Sequence, residues 1–172
     1  MLTLKYVFYS ERTRNCALCE SWIYFLLGIS GRARSGIIVL PCGAGKSLVG
    51  VSAACRIKKS CLCLATNAVS VDQWAFQFKL WSTIRDEHIC RFTSDSKERF
   101  RGNAGVVVTT YNMVAFGGKR SEESEKIIEE IRNREWGLLL MDEVLFIISV
   151  TFNVVLFQKY NFLGISLCFP KK

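Results

Sequence analysis

At 172 residues, half of them apolar, the chain is long enough for one domain with its own core and too short for two full-sized ones, and its composition excludes a disordered tail. The formal net charge of +8 invites a polyanionic partner, but that charge is unevenly placed. Residues 1–36 hold five Lys/Arg against two acids and residues 145–172 hold three Lys against none, whereas residues 37–144 carry fifteen basic and thirteen acidic side chains. Charge alone is therefore weak evidence for a nucleic-acid footprint on the middle of the chain.

The eight cysteines follow no disulfide-scaffold rhythm. Cys16-Ala17-Leu18-Cys19 has the spacing of half a zinc site, but no second pair follows at a matching distance. Reduced, buried thiols in a reducing compartment, cytosol or nucleus, are the reading that fits. Two apolar stretches bear on membranes. Residues 22–29 are too short and too acidic in their approach for a signal peptide, and residues 144–157 fall short of a spanning helix. No membrane partner is expected.

Taken in order, the middle of the chain alternates strand and helix signals. Ile37-Ile38-Val39-Leu40 is a continuous apolar run ending at Pro41, as a strand buried on both faces requires. Residues 47–57 are small and apolar, broken only by Gly50, and predict a helix. Residues 61–65 form a second buried strand. Apolar side chains at Val71, Trp74, Phe78 and Trp81 have helical spacing with one face inward. Val106-Val107-Val108-Thr109 is a third strand. Ser121 caps a further helix, with Glu122, Glu123 and Glu125 at its positive end and Ile127, Ile128 and Ile131 toward the core. Leu138-Leu139-Leu140-Met141 is a fourth strand, running straight into Asp142-Glu143. The alternation predicts an α/β fold, a parallel sheet with helices on both faces.

The chemistry lies at two strand ends. Gly43-Ala44-Gly45-Lys46-Ser47 follows a strand and opens a helix, the context that makes a phosphate-binding loop credible. Glycines let backbone N–H groups curl around a phosphate, and the helix N-terminus adds partial positive charge. Lys46 would reach the β- and γ-phosphates, and the Ser47 hydroxyl would ligate Mg²⁺. The full eight-residue pattern asks for Gly where this chain has Leu40, so only the shorter form is matched. A nucleotide-hydrolysing site also needs one carboxylate to hold Mg²⁺ and another to orient the attacking water. Asp142-Glu143 stands where an open parallel sheet binds its ligands. Such a pair is often just a solvated turn; behind a phosphate loop, the functional reading prevails.

Longer strings carry a resemblance. Arg32-Ala33-Arg34-Ser35-Gly36 and Leu40-Pro41-Cys42-Gly43-Ala44-Gly45-Lys46-Ser47 are similar to the xeroderma pigmentosum group B (XPB) family of superfamily 2 helicases. So are Ala68-Val69-Ser70-Val71-Asp72-Gln73-Trp74, Gln77-Phe78-Lys79-Leu80-Trp81-Ser82-Thr83-Ile84, and Ile89-Cys90-Arg91-Phe92-Thr93-Ser94-Asp95. Thr109-Thr110-Tyr111 and Glu135-Trp136-Gly137 leading to Asp142-Glu143-Val144 complete the match over residues 31–144. The resemblance implies the first RecA-like lobe of a 3′-to-5′ DNA helicase and translocase. Its relatives act in general transcription factor IIH, in promoter opening and nucleotide excision repair. It implies ATP and Mg²⁺ as cofactors, DNA and factor IIH subunits as partners, and the nucleus as location. By the same resemblance, Pro41, Cys42, Gly43, Ala44, Gly45, Lys46 and Ser47 bind nucleotide. Ser47 and Asp142 hold the metal, and Lys46 and Glu143 are catalytic. Gln73, Thr110 and Tyr111 face DNA. Trp74 lies on an apolar helical face and reads as core rather than as a base-stacking platform. For Thr110 and Tyr111, a phosphate contact and a plain turn both stay open.

The departures from the family are specific. The family's acidic motif ends in His, where Leu145 stands here, and no Gln precedes Gln73 to read adenine. Domain boundaries follow: residues 1–30 unassigned, 31–144 the ATP-binding lobe, incomplete at its C-terminal end, and 145–172 an apolar tail unlike the family. That tail holds five Phe but no Ala, Arg, Asp, Glu, His or Trp. It is expected either to add a strand or to expose apolar surface. Its composition suggests translated intron or a misplaced exon boundary. Sequencing the transcript tests this, since abundant message encoding residues 145–172 would refute it. The expected function is the ATP-binding lobe of an XPB-like motor, inactive alone where hydrolysis needs groups from a second lobe. The alternatives are a fragment that binds ATP or a partner without doing work, and a small kinase or GTPase, for which no guanine signature is present.

Overall fold

Six apolar segments assemble into one sheet in which every pairing is parallel. The computed structural model describes residues 36–39, 45–99, 102, 104–143 and 163–168. In chain order the elements are β1 (Gly36–Val39), α1 (Lys46–Ile57), β2 (Cys61–Ala65), α2 (Ala68–Trp81), a 3₁₀ turn (Asp86–His88) and β3 (Ile89–Phe92). They continue with β4 (Val106–Thr110), α3 (Tyr111–Ala115), α4 (Glu122–Asn133), β5 (Leu138–Asp142) and β6 (Leu163–Cys168). Across the sheet the order is β1-β6-β5-β2-β4-β3. Parallel neighbours need crossovers, and helices lie between β1 and β2, between β2 and β3 and between β4 and β5 in the chain.

The pleat sorts each strand's side chains onto two faces. Cys61, Cys63, Leu138 and Leu140 join Val51, Ala54, Trp74 and Phe78 beneath α1 and α2. Leu62, Leu64 and Leu139 join Phe92, Ile127, Ile128 and Ile131 beneath α4 on the other face. The helices show why they form where they do. Val71, Trp74, Ala75 and Phe78 give α2 its buried stripe, and the Asn67 side chain caps it by accepting from the Ser70 N–H at 2.8 Å. Ser121 caps α4, with three glutamates in the first turn and Arg132 in the last, each complementing the helix dipole.

Two elements were not expected from the sequence, β3 and the short α3. The tail adds a strand rather than only apolar surface: β6 lies between β1 and β5, pairing Ile165 with Gly36 and with Leu140. The possible zinc half-site at Cys16 and Cys19, the apolar stretches and Leu145 lie outside the described residues. Among the described residues, Cys55, Cys61, Cys63 and Cys90 are buried free thiols. Burial pushes the Cys55 thiol up to about 11, and Cys61 and Cys63 higher still, so they are poor nucleophiles. No helix among the described residues is long and apolar enough to cross a membrane.

The entry to β5 is tight. The Gly137 N–H donates to the Ser60 carbonyl at 2.9 Å, and a Cβ at Gly137 would collide with the Lys59 Cβ. Gly137→Ala is expected to lower unfolding free energy by about 1–3 kcal/mol, as overpacking does. A urea melt matching the parent would show that this turn yields freely.

Candidate functional site

The loop after β1 delivers the chain to the N-terminus of α1. Gly45 stands there at φ 84°, a left-handed conformation that favours glycine. The Gly45 cap makes no side-chain hydrogen bond and no acid occupies the first turn of α1, an arrangement that favours an anion there. Lys46 and Ser47, both half-buried, begin the helix. Pro41, Cys42, Gly43 and Ala44 lie outside the described residues.

Across the sheet, β5 ends at Asp142, and Glu143 follows at φ 56°. A left-handed glutamate costs on the order of 1–2 kcal/mol, and in this conformation its side chain meets the start of α1. The Lys46 ammonium donates to the Glu143 carboxylate. Residues 97 positions apart thus meet, with only 13% and 28% of their side chains exposed. Two distant side chains hold Asp142: the Trp74 indole N–H donates to its Oδ2 at 3.0 Å, and the Tyr111 hydroxyl donates to its carbonyl at 2.9 Å. Burial pushes the Asp142 carboxyl up, while the Trp74 bond and the Lys46 charge pull it back.

The donor set suits Mg²⁺. A hydroxyl and carboxylates are hard oxygen ligands, and Mg²⁺ keeps waters and phosphate oxygens rather than filling an all-protein cage. Among the described residues no group of three or more His, Cys, Asp or Glu is placed to form such a cage.

The three residues expected to face DNA are not alike. Gln73 is exposed. Thr110 is buried, and its hydroxyl caps α3 by accepting from the Met113 N–H at 3.2 Å. Tyr111 is buried and bonded to Asp142. Tyr111 therefore spends its hydroxyl inside the fold, whereas Thr110, though buried, is among the residues lining a groove beyond the C-terminal ends of β2, β3 and β4. Trp74 is core, 4% exposed, as its place on the apolar face implied.

Sequence reasoning missed a groove of about 590 Å³ beyond the C-terminal ends of β2, β3 and β4. Thr66, Asn67, Thr93, Lys97, Lys119 and Arg120 line it, and none of its described lining residues is acidic. Arg120 stacks over the exposed Phe116 at 5.4 Å, and its buried Nη1 has no partner among the described residues. Lys119-Arg120 was the visible signal; the hydroxyls come from separate loops and form no motif.

The family model described as "Type III restriction enzyme, res subunit" matches residues 12–145. The factor IIH helicase/translocase subunit XPB1 of Arabidopsis thaliana is 96% identical over 115 residues, 67% of this chain and 15% of that protein. The XPB subunit of Dictyostelium discoideum is 64% identical over 127 residues, 74% of this chain and 16% of that protein. The XPB/SSL2 subunit of Saccharomyces cerevisiae is 56% identical over 115 residues, 67% of this chain and 14% of that protein. The chain thus spans about 15% of the length of these relatives. A solved nuclease-deletion mutant of the Type ISP restriction-modification enzyme LlaGI, in complex with a DNA substrate mimic, superposes with a TM-score of 0.54. It covers 94% of this chain and 17% of that one at 12% identity, a likeness of fold alone. The chain therefore belongs to the family of the type III restriction enzyme res subunit, and within it to the XPB helicases, of which it carries part of the first RecA-like lobe.

Proposed function

We propose that this chain is the ATP-binding part of an XPB-like DNA helicase and translocase, with the lobe at about residues 31–144. The observation that carries this reading is the meeting of Lys46 and Glu143, which joins the phosphate loop to the acidic strand end. Lys46, at the open N-terminus of α1, exchanges the Glu143 carboxylate for the β- and γ-phosphates of ATP. Ser47 and Asp142 would hold Mg²⁺, which would neutralise charge on those phosphates. Glu143, released from Lys46, accepts a proton from the attacking water and orients it. Pro41, Cys42, Gly43, Ala44 and Gly45 complete the phosphate cradle.

The groove supplies the DNA contact. Cations and hydroxyls without opposing carboxylates suit a sugar–phosphate backbone, and Gln73 lies exposed on α2, which begins at that groove. The relatives are named as subunits of the general transcription and DNA repair factor IIH, so the larger assembly is that factor, and such work belongs in the nucleus. The test is calorimetry of Mg²⁺-ATP binding to the purified chain, followed by ATPase assays with and without single-stranded DNA. A folded chain that takes up no nucleotide would overturn the proposal.

A further inference from the structure

We infer that Trp74 is a positioning residue for Asp142, with Tyr111 sharing the task. The inference rests on the reading of Asp142 as a metal-holding carboxylate. Three of the indoles can be compared. The Trp81 N–H donates to its neighbour Gln77 at 2.8 Å, and the Trp136 N–H to the Ile131 carbonyl at 2.8 Å. Both are local bonds, four and five positions along the chain. The Trp74 N–H instead reaches 68 positions along the chain to a carboxylate at the site.

The indole is fixed in place from behind. A Cβ at Gly50 of α1 would stand 2.8 Å from Trp74 Cη2 and 3.3 Å from Leu140 Cδ1. The missing side chain at Gly50 is therefore the slot in which the ring lies, between α1 and β5. Phe78 closes another side, with ring centroids 6.2 Å apart at 40°. A ring held this way presents its single donor in one direction. The bond is made to Oδ2, so the direction of the carboxylate is set before any ligand arrives. Tyr111 fixes the same residue from its backbone carbonyl, so Asp142 is pinned at both ends. Outer partners that orient a ligating carboxylate typically matter for metal affinity by one to two orders of magnitude.

The test is ADP binding by calorimetry to the whole chain at graded Mg²⁺ and in EDTA, for the parent, Trp74→Phe, Tyr111→Phe and Asp142→Asn. Phenylalanine at 74 keeps a ring in the slot and removes only the donor. The expected result is about ten-fold more Mg²⁺ for half-maximal effect in Trp74→Phe, with ADP affinity in EDTA unchanged. A merely structural role would move both. Tyr111→Phe is expected to shift the Mg²⁺ requirement in the same direction. If Asp142→Asn shifts it and neither aromatic variant does, the positioning role is refuted while the metal reading stands. If Asp142→Asn shifts nothing, the metal reading fails and the inference falls with it. Should Trp74→Phe not fold, Tyr111→Phe decides between the same outcomes.

Discussion

Lys46→Ala is expected to weaken Mg²⁺-ATP binding by about 10- to 100-fold, which calorimetry reads directly. A charge-assisted hydrogen bond contributes about 1.5–3 kcal/mol, and three kcal/mol is about two decades of affinity. The loss is one of ligand contact, since the other N–H donors at the start of α1 remain. Glu143→Gln should do the opposite to binding. In the free protein the Glu143 carboxylate holds the Lys46 ammonium, and so competes with phosphate for it. Glutamine removes the competing charge, so affinity is kept or tightened while hydrolysis is lost. Equal loss of binding in both variants would mean that Lys46 and Glu143 act only as a structural pair.

Phe78→Ala should produce the largest loss of stability. Phe78 is fully buried in the face between α2 and the sheet. Emptying such a site costs about 3–5 kcal/mol, from lost transfer energy and from the cavity left behind. Against a typical 5–15 kcal/mol for a whole domain, that is a large fraction. A urea melt should show it as a lower midpoint with the slope preserved. A change below about 1 kcal/mol would show that this face does not pack as described. Because Phe78 also flanks Trp74, the same variant should loosen the bond to Asp142.

What was legible in the sequence follows from how uniformly each segment is buried. Cys61–Ala65 is buried at every position, so its apolar run reads directly as strand. In α4 the isoleucines fall on one face and the glutamates on the other, a pattern without rivals. β3 was hidden by Arg91, a charge inside a four-residue strand. Its guanidinium bonds to Glu98 at 2.6 and 3.0 Å and to Asp72 at 3.1 Å. Burial pushes the Glu98 carboxyl up, but the Arg91 bonds outweigh it and hold the group below its ordinary range. A pairing of this kind joins residues from three places in the chain, and no local window contains it.

At the candidate site, the nearness of Lys46 to Asp142-Glu143 was legible because a helix start and a strand end on one edge of a parallel sheet carry them. Tyr111 was not, because its partner is a backbone carbonyl and carries no sequence signature. The reading of Trp74 as core was sound, but burial alone could not announce its bond to Asp142. The groove escaped because loops after three strands build it, with one or two side chains from each.

The placement of β6 has a consequence for when the site comes into being. Among the described residues, β1 has no strand neighbour except β6, and the pairing of Gly36 with Ile165 spans 129 positions. On a ribosome adding about 5–20 residues each second, β2, β4 and β5 emerge and can zip together while β1 still waits for its neighbour. Closing so long a loop comes after the shorter closures have been made. The strand that carries the nucleotide loop is thus the last to be fixed and the first to release. Slow amide exchange at β2 and β4 beside faster exchange at β1 would be the signature of that order. Nucleotide binding, by favouring the docked form, would then be felt as folding of this edge.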